Sequence, residues 1–504
     1  MQSTQVAKGA IYITIYTILQ YALSFIFYMA IARILGSEEI GRLSILLMIG
    51  AFFALTNLSI NFSLQKFIPA YIENGKKREI GSIIKTGLEV LIYVSTPILA
   101  ILLIFTSNLN IIIFPGQSET GTIAIILIAT YILNFSLFFG GQMLGLGLFK
   151  ETAIQNILNV GISRILALFL VSMGMGLIGV TLGWLIAGLA ALIFSLYVLR
   201  NQIHLKNGFP KKRILEFSLP VHVFTTIIFL QSWMDIGILY ILGNDVSEIG
   251  IYYLVVNAAS ILSIFYMPII MVVLPALSSR YSRDGIKGII PISNAYIRIV
   301  SKILIPIGVS FAVLSSAAIK IAYGSQYLSG TIPLAILAAT ALIPALLLLF
   351  VTIIQSIGNT KPLIIIGVAA SITEVVLVGT LASSLGGTAG AIGRIAFSTV
   401  GVVIGYYYIH KNVKLRILPE LVHPLLAALF LSIPLFVIDQ YLENIIRLTL
   451  IIRVSIDIIA LITIGLIFTR LTQYLTEDDF LLIKQALPSK FEGILTRIES
   501  ILLR

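Results

Sequence analysis

Six basic side chains lie within long apolar segments or at the end of one. They are Lys66, Arg164, Arg298, Lys302, Arg394 and Arg33. A cation at the centre of a membrane-spanning helix costs about 3 kcal/mol, so we expect these groups to face a cavity or a partner. Arginine offers a planar fork that matches phosphate oxygens, and lysine offers a point charge. The six residues, called the basic ladder below, therefore predict a path for a phosphate or pyrophosphate group, with plain ion pairing as the alternative.

Acidic residues within the apolar segments are the second candidates for chemistry. They are Glu89, Asp235, Glu374 and Asp457. A buried carboxylate can exchange a proton or Na⁺, so Asp235, Glu374 and Glu89 are candidates for ion coupling. The alternative is that each neutralises a nearby base, and Glu89 follows Lys85 by the four residues that favour a helical ion pair.

The composition is that of a membrane protein. The chain has 504 residues, of which 58% are hydrophobic and 11% are charged, whereas a soluble domain carries roughly 25% charged residues. Hydropathy predicts fourteen membrane spans with short connections. They are 9–33, 42–70, 82–105, 120–146, 152–174, 177–199, 214–242, 249–278, 289–319, 330–357, 362–384, 388–409, 421–439 and 448–469. No cleavage site follows the first span, which we interpret as retained.

The distribution of Lys and Arg predicts the orientation. With the N-terminus in the cytoplasm, 23 of the 33 basic residues lie on the cytoplasmic side and five lie within spans. The opposite side receives five: Arg33, Arg42, Lys320, Arg447 and Arg453. The positive-inside rule then places both termini in the cytoplasm of a multi-pass cell-membrane protein. This topology accounts for the net charge of +11, so we do not expect nucleic-acid binding.

The orientation gives the basic ladder a range of depths. Arg298 and Lys302 are four residues apart on one helix face and fall, with Lys66, in the cytoplasmic third of the membrane. Arg164 falls at mid-membrane, and Arg394 falls in the outer third. Graded depths suit an anionic group that crosses the membrane. Lys66 has a further interpretation, because a lysine near a helix end can reach the inner interface.

An internal duplication predicts the architecture. Residues 147–200 and 358–411 align without a gap, 211 positions apart, with Gly176 on Gly387. Each stretch reads as two apolar helices joined by a glycine turn, and "ARILGSEEIG" recurs earlier as "LYILGNDVSEIG". We predict an all-α integral membrane protein with fourteen transmembrane helices. Two parallel six-helix repeats surround a central cavity, and two extra helices lie at the C-terminal end.

The predicted domain order follows from this duplication. It is an N-terminal six-helix lobe at 1–205, its repeat at 206–415, helices thirteen and fourteen at 416–472, and a cytoplasmic tail at 473–504. In the tail, a stripe at helical spacing is formed by Phe491, Ile494, Leu495, Ile498 and Ile501. We expect this amphipathic helix to lie on the cytoplasmic membrane face, with a docked or disordered tail as the alternative.

Three stretches carry a resemblance to a known family. "ARILGSEEIGRLS" leaves the first span, "EFSLPVHVFTTIIFLQSWMDIGILYILG" enters the second half, and "IIQSIGNTKPLIII" precedes "GGTAGAIGR". The order and spacing of these stretches resemble those of the polysaccharide transporter family of the multidrug/oligosaccharidyl-lipid/polysaccharide exporter superfamily. The resemblance covers nearly the whole length of the chain. Members of that family flip lipid-linked glycans. The turn "ASSLGG" departs from the family pattern, in which a proline is often present.

The resemblance implies a flippase for a polyisoprenyl-phosphate- or pyrophosphate-linked oligosaccharide, used in polysaccharide or glycoprotein biosynthesis. Membrane lipids, glycosyltransferases and a polymerase are the expected partners. Two alternatives remain open, a flippase for a lipid-linked peptidoglycan precursor and a cation-coupled multidrug exporter. We expect no enzyme, cofactor or metal site, because cysteine and Asp-x-Asp are absent, the four histidines lack metal-ligand spacing and outer loops are short. The one bound species that we do expect is a coupling ion, H⁺ or Na⁺.

Overall fold

The computed structural model describes residues 2–76, 79–200, 209–358, 361–410, 415–442 and 450–472, together with 474, 476, 493 and 496. All regular structure in these residues is helical, as the apolar runs predict. The predicted amphipathic tail at 473–504 falls almost wholly outside the described residues. The helices cluster into two compact units, Met1–Gly237 and Ile238–Arg504.

The first unit is built from nine described helices. They are α1 Gln2–Leu35, α2 Ser37–Ala54, α3 Ile60–Glu73, α4 Ile80–Ile104, α5 Thr106–Ile113, α6 Thr120–Gly145, α7 Phe149–Ser172, α8 Gly176–Leu199 and α9 Lys211–Ile241, which reaches the unit boundary. Among them, α2, α4, α6, α7 and α8 each begin shortly after a glycine. A short 3₁₀ turn, Leu55–Asn57, separates α2 from α3 within the predicted second span. Leu58 and Ser59 follow it with φ of 50° and 54°, a conformation that costs energy in residues with a side chain.

The second unit contains ten described helices. They are α10 Val246–Ala259, α11 Met267–Asp284, α12 Ile286–Val313, α13 Ser315–Ala322, α14 Thr331–Ala339, α15 Leu342–Ile357, α16 Lys361–Leu385, α17 Gly387–His410, α18 Ile417–Tyr441 and α19 Leu450–Thr472. Asp245 caps α10, since its side chain accepts a hydrogen bond from the backbone N–H of Ser247 over 3.0 Å.

Eleven of the described helical segments are long and apolar enough to span a membrane, and thirteen qualify if each of two bent helix pairs counts as one span. This count does not reach the fourteen membrane spans predicted from the sequence. The fourteenth predicted span corresponds to α19, which has 23 residues. One bent pair, Ser325–Ala339 with Leu342–Ile357, turns by 43°. Pro344 explains this bend, because it has no N–H to donate to the carbonyl of Thr340.

The two stretches aligned in the sequence each form a helical hairpin. Helices α7 and α8 pack together in the first unit, and α16 and α17 pack together in the second. The second helix of each pair begins at a residue of the aligned glycine pair, Gly176 and Gly387. Within the first hairpin a Cβ on Gly183 would lie 2.7 Å from the backbone nitrogen of Ala167, so only glycine permits this approach. The wider six-helix repeat and the central cavity stay predictions.

Candidate functional site

Arg164 lies in α7 with its guanidinium among aromatic rings. Its Cζ is 4.9 Å from the ring centre of Phe27, 5.5 Å from that of Tyr28 and 5.7 Å from that of Trp184. Such cation–π contacts offset part of the cost of removing the charge from water. Its Nε is buried without a hydrogen-bond partner, and no salt bridge within the described part of the chain includes this residue. Rings, rather than a carboxylate, hold this cation.

Lys66 and Arg33 are the exposed members of the basic ladder in the first unit. The Nζ of Lys66 lies 3.9 Å from the ring centre of Phe217 and 5.6 Å from that of Phe67. Its aliphatic stem and charge thus pack on aromatic rings while the side chain keeps access to the surroundings. Arg33 is in the last turn of α1, where a cation interacts favourably with the negative end of the helix dipole.

Arg298 and Lys302 lie one turn apart on α12, and both are half-buried. The Nζ of Lys302 is 5.6 Å from the ring centre of Tyr474, a residue just beyond α19. The hydroxyl of Tyr474 donates a hydrogen bond to the backbone carbonyl of Lys302 over 2.9 Å. These contacts place Tyr474 beside Lys302, one member of the predicted phosphate-binding pair of the second unit.

Arg394 lies on α17 and donates a hydrogen bond from its Nε to the hydroxyl of Tyr252 over 3.1 Å. Glu374, on the neighbouring helix α16, is fully buried. A Cβ on Gly393 would lie 3.3 Å from the Cγ of Glu374, so the backbone beside Arg394 packs closely on this acid. The structure therefore places one predicted base and one predicted acid in the same helical hairpin.

Two further predicted acids have different surroundings. Asp235 is fully buried in α9 and accepts a hydrogen bond from the backbone N–H of Ile236 over 2.8 Å. Glu89 keeps about a third of its side chain exposed and lies 3.0 Å from the Nζ of Lys211 and 3.9 Å from that of Lys85. The pairing of Lys85 with Glu89 that the spacing favoured is present, and Lys211 is the closer partner.

The basic ladder is divided between the two units. Arg33, Lys66 and Arg164 lie on α1, α3 and α7 of the first unit. Its other three members lie on α12 and α17 of the second unit. A continuous anion path through these six residues stays a prediction.

A buried ion pair between α18 and α19 is a site that the sequence analysis missed. The Nε and Nη2 of Arg453 donate to the two carboxylate oxygens of Asp439 over 2.5 and 2.6 Å. Arg453 is 4% exposed, and Asp457, one turn further along α19, is fully buried. The positive-inside count assigns Arg453 to the outer side, and the structure shows its charge neutralised by Asp439. The signal was a pair of opposite charges in two consecutive apolar helices.

A cavity of about 110 Å³ in the first unit is the second missed feature. Helices α3, α6 and α7 line it with uncharged polar side chains, among them Asn61, Gln65, Thr152, Gln155, Asn156 and Asn159. We call this the amide pocket. The sequence held a signal for it, because the four α7 residues recur at intervals of three, one and three residues and so share one helix face.

The comparisons with known proteins agree with this fold. The family model described as "Polysaccharide biosynthesis protein" matches residues 6–280, more than half of the chain. No curated protein matches the sequence. Among solved structures, a lipid II flippase MurJ in an inward closed conformation has a TM-score of 0.70 and 17% sequence identity, covering 90% of this chain and 98% of its own.

Two further solved structures extend the likeness. An inward-facing multidrug resistance MATE family transporter of the MOP superfamily has a TM-score of 0.66 and 16% identity, covering 80% of this chain and 95% of its own. A MOP superfamily transporter from Pyrococcus furiosus, described as having a binding pocket of reverse polarity, has a TM-score of 0.59 and 14% identity over 82% of this chain and 96% of its own. At these identities the likeness shows a shared fold.

Proposed function

The chain belongs to the polysaccharide biosynthesis protein family, and we propose that it is a flippase for a polyisoprenyl-phosphate- or pyrophosphate-linked oligosaccharide. It is a multi-pass membrane protein with the fold of MOP superfamily transporters. In this proposal the cargo moves from the cytoplasmic to the outer leaflet by alternating access, and both termini lie in the cytoplasm. Enzymes that assemble or polymerise the glycan are the proposed partners.

The environment of Arg164 is the observation that carries this proposal. Removing a guanidinium from water is costly, and a neighbouring carboxylate usually compensates for it. Here the compensation comes from the rings of Phe27, Tyr28 and Trp184, and among the described residues no carboxylate forms a salt bridge with this cation. Such a cation attracts a phosphate, and its planar fork can donate two hydrogen bonds to phosphate oxygens.

The same observation argues against one alternative. A cation-coupled multidrug exporter with cationic cargo would meet electrostatic repulsion from Arg164, because like charges in a weakly solvated site repel strongly. A lipid-linked peptidoglycan precursor has the same sugar and phosphate chemistry as the proposed cargo, so it stays as the second candidate within the flippase class. The likeness in fold to MurJ and to MATE transporters does not separate these cargoes.

Coupling to H⁺ or Na⁺ is part of the proposal. Asp235 and Glu374 are the stronger candidates, since both are fully buried and a buried carboxylate responds strongly to binding a cation. Glu89 is the weaker one, because it is partly exposed and lies close to two lysines. No cofactor is part of the proposed mechanism.

Reconstitution in liposomes tests the proposal. The purified protein should move a fluorescent polyisoprenyl-pyrophosphate-linked oligosaccharide between leaflets, and Arg164→Gln should slow this movement at least tenfold. Arg164→Lys should keep part of the activity, since the charge remains. Arg200→Gln is the matched control, because Arg200 also stacks on a ring, that of Tyr197 at 4.2 Å, but is exposed at the end of α8.

The outcomes separate the candidate cargoes. Movement of the oligosaccharide carrier that depends on Arg164 supports the proposal. Movement of a peptidoglycan precursor alone would favour the second candidate, and movement of a lipophilic cation alone would favour the exporter. A folded Arg164→Gln protein that flips the oligosaccharide carrier at the wild-type rate would show that this arginine does not serve the cargo.

A further inference from the structure

The amide pocket combines a polar lining with a volume larger than that of a single water molecule. Its lining includes carboxamide and hydroxyl side chains, and none of the described residues that line it is charged. Its volume of about 110 Å³ is well above the ~10–15 Å³ that a single buried water requires. The pocket is therefore larger than a structural water site, and its lining neither attracts nor repels an ion by net charge.

One amide of the pocket is held in a fixed orientation. Gln155 is 3% exposed, and its Nε2 donates a hydrogen bond to the backbone carbonyl of Ser136 over 2.7 Å. This bond directs the NH₂ group toward α6 and leaves Oε1 as an acceptor. A Cβ on Gly140 would lie 3.0 Å from that Oε1, so the glycine provides the space in which the amide sits. The pocket is thus preorganised on the side of α6 and α7.

The internal duplication shows that helix packing does not require these polar side chains. The residues 211 positions after Thr152, Gln155, Asn156 and Asn159 are Leu363, Ile366, Gly367 and Ala370, and all four are buried in α16. The same helix position in the second hairpin is therefore filled by apolar residues. Polar groups in a membrane helix are expensive and usually mark a functional site. Their presence in α7 alone of the two helices indicates a ligand specific to the first unit.

We infer that the amide pocket binds an uncharged sugar ring of the cargo, a conclusion that rests on the proposed function and adds a glycan subsite to it. A carboxamide offers two donors and an acceptor oxygen, which match sugar hydroxyls that both donate and accept. A site without charge selects for hydroxyls rather than for phosphate. In the predicted orientation, the pocket lies in the cytoplasmic half of the membrane, the side on which the cargo is made.

Sugar binding without transport tests this inference. Saturation-transfer NMR on the full-length protein in nanodiscs would use neutral hexoses, N-acetylhexosamines and their disaccharides as probes. The test variant is Gln155→Ile with Asn159→Ala, which introduces the residues found at the repeat positions. We expect at least one neutral sugar to bind the wild type and to bind the variant at least tenfold more weakly. Ser172→Ala, an exposed change at the end of α7, should not alter binding.

Two further binding measurements separate failure of the sugar site from failure of the proposed function. Polyisoprenyl pyrophosphate without a sugar should bind the double variant as tightly as it binds the wild type, and Arg164→Gln should keep its sugar binding. Failure of every neutral sugar to bind, or equal binding by the folded double variant, would overturn the inference while leaving the flipping assay to decide the proposed function. If the sugar-free lipid loses affinity in the double variant, the pocket recognises another part of the cargo and the inference is wrong. Absence of flipping with intact sugar binding would overturn the proposed function alone.

Discussion

The Nε of Arg394 donates a hydrogen bond to the hydroxyl of Tyr252, and a glycine on α17 leaves room for the tyrosine ring. Tyr252 is 1% exposed and lies against Gly390, one turn before Arg394. A Cβ on Gly390 would stand 2.5 Å from the Cζ of the tyrosine ring, so only a glycine admits the ring at this position. The tyrosine therefore fills the space left by the glycine and presents its oxygen to the arginine.

Removing that hydroxyl should cost stability. Tyr252→Phe keeps the ring but takes an acceptor away from a charged donor, an interaction worth about 1.5–3 kcal/mol. We expect the unfolding midpoint of the purified protein to fall in a thermal or denaturant melt. Tyr407→Phe, on an exposed tyrosine of the same helix α17, is the control and should leave the midpoint unchanged. Equal midpoints for the two variants would contradict the assigned contact.

The pair on α12 should matter for transport. Replacing both Arg298 and Lys302 with alanine removes two positive charges from the basic ladder, so we expect glycan export to be abolished while protein abundance in the membrane stays normal. Complementation of an export-deficient strain and immunoblotting measure the two quantities. Lys212→Ala, on an exposed lysine paired with Glu216, should leave export intact. Export by the double variant would exclude this pair from the cargo path.

The buried pair of Asp439 and Arg453 should be important for stability. Asp439→Ala removes the carboxylate that accepts both hydrogen bonds of the buried guanidinium, and breaking such a pair typically costs about 3–5 kcal/mol. We expect a large fall in the unfolding midpoint of that variant. The double variant Asp439→Leu with Arg453→Met removes both charges, and it should recover most of the lost stability. A double variant as unstable as the single one would show that the pair does more than neutralise two charges.

Two glycines should respond to alanine in opposite directions. A Cβ on Gly141 of α6 would lie 2.6 Å from the backbone oxygen of Asn61, so Gly141→Ala forces α3 and α6 apart and should cost about 1–3 kcal/mol. Apart from the neighbouring turns of α7 itself, no described atom lies within 4 Å of such a Cβ on Gly161. Gly161→Ala should therefore stabilise the protein by about 0.5–1 kcal/mol through helix propensity. Melting curves with the two midpoints in the reverse order would contradict the described packing.

The amino-acid sequence determined the membrane class, the family and the helical hairpins. Long apolar runs have one stable form in a bilayer, a helix, because every backbone group must find a partner within its own segment. The glycine at 176 and its equivalent at 387 mark the start of a helix in both hairpins, as the aligned stretches predicted. The order of the quoted motifs was enough to predict the family to which the chain belongs.

The tertiary structure decided the partner of each polar side chain. Residue spacing shows that α7 has a polar face, but hydropathy does not show how the helix is rotated against its neighbours, because much of their surface is apolar. That rotation places Arg164 among rings from α1 and α8, and it turns Gln155 and Asn159 toward a cavity lined by α3 and α6. The pairing of Arg453 with Asp439 depends in the same way on how α18 and α19 pack. Local patterns mark the polar side chains, but the partner of each one is set by side-chain packing over many residues.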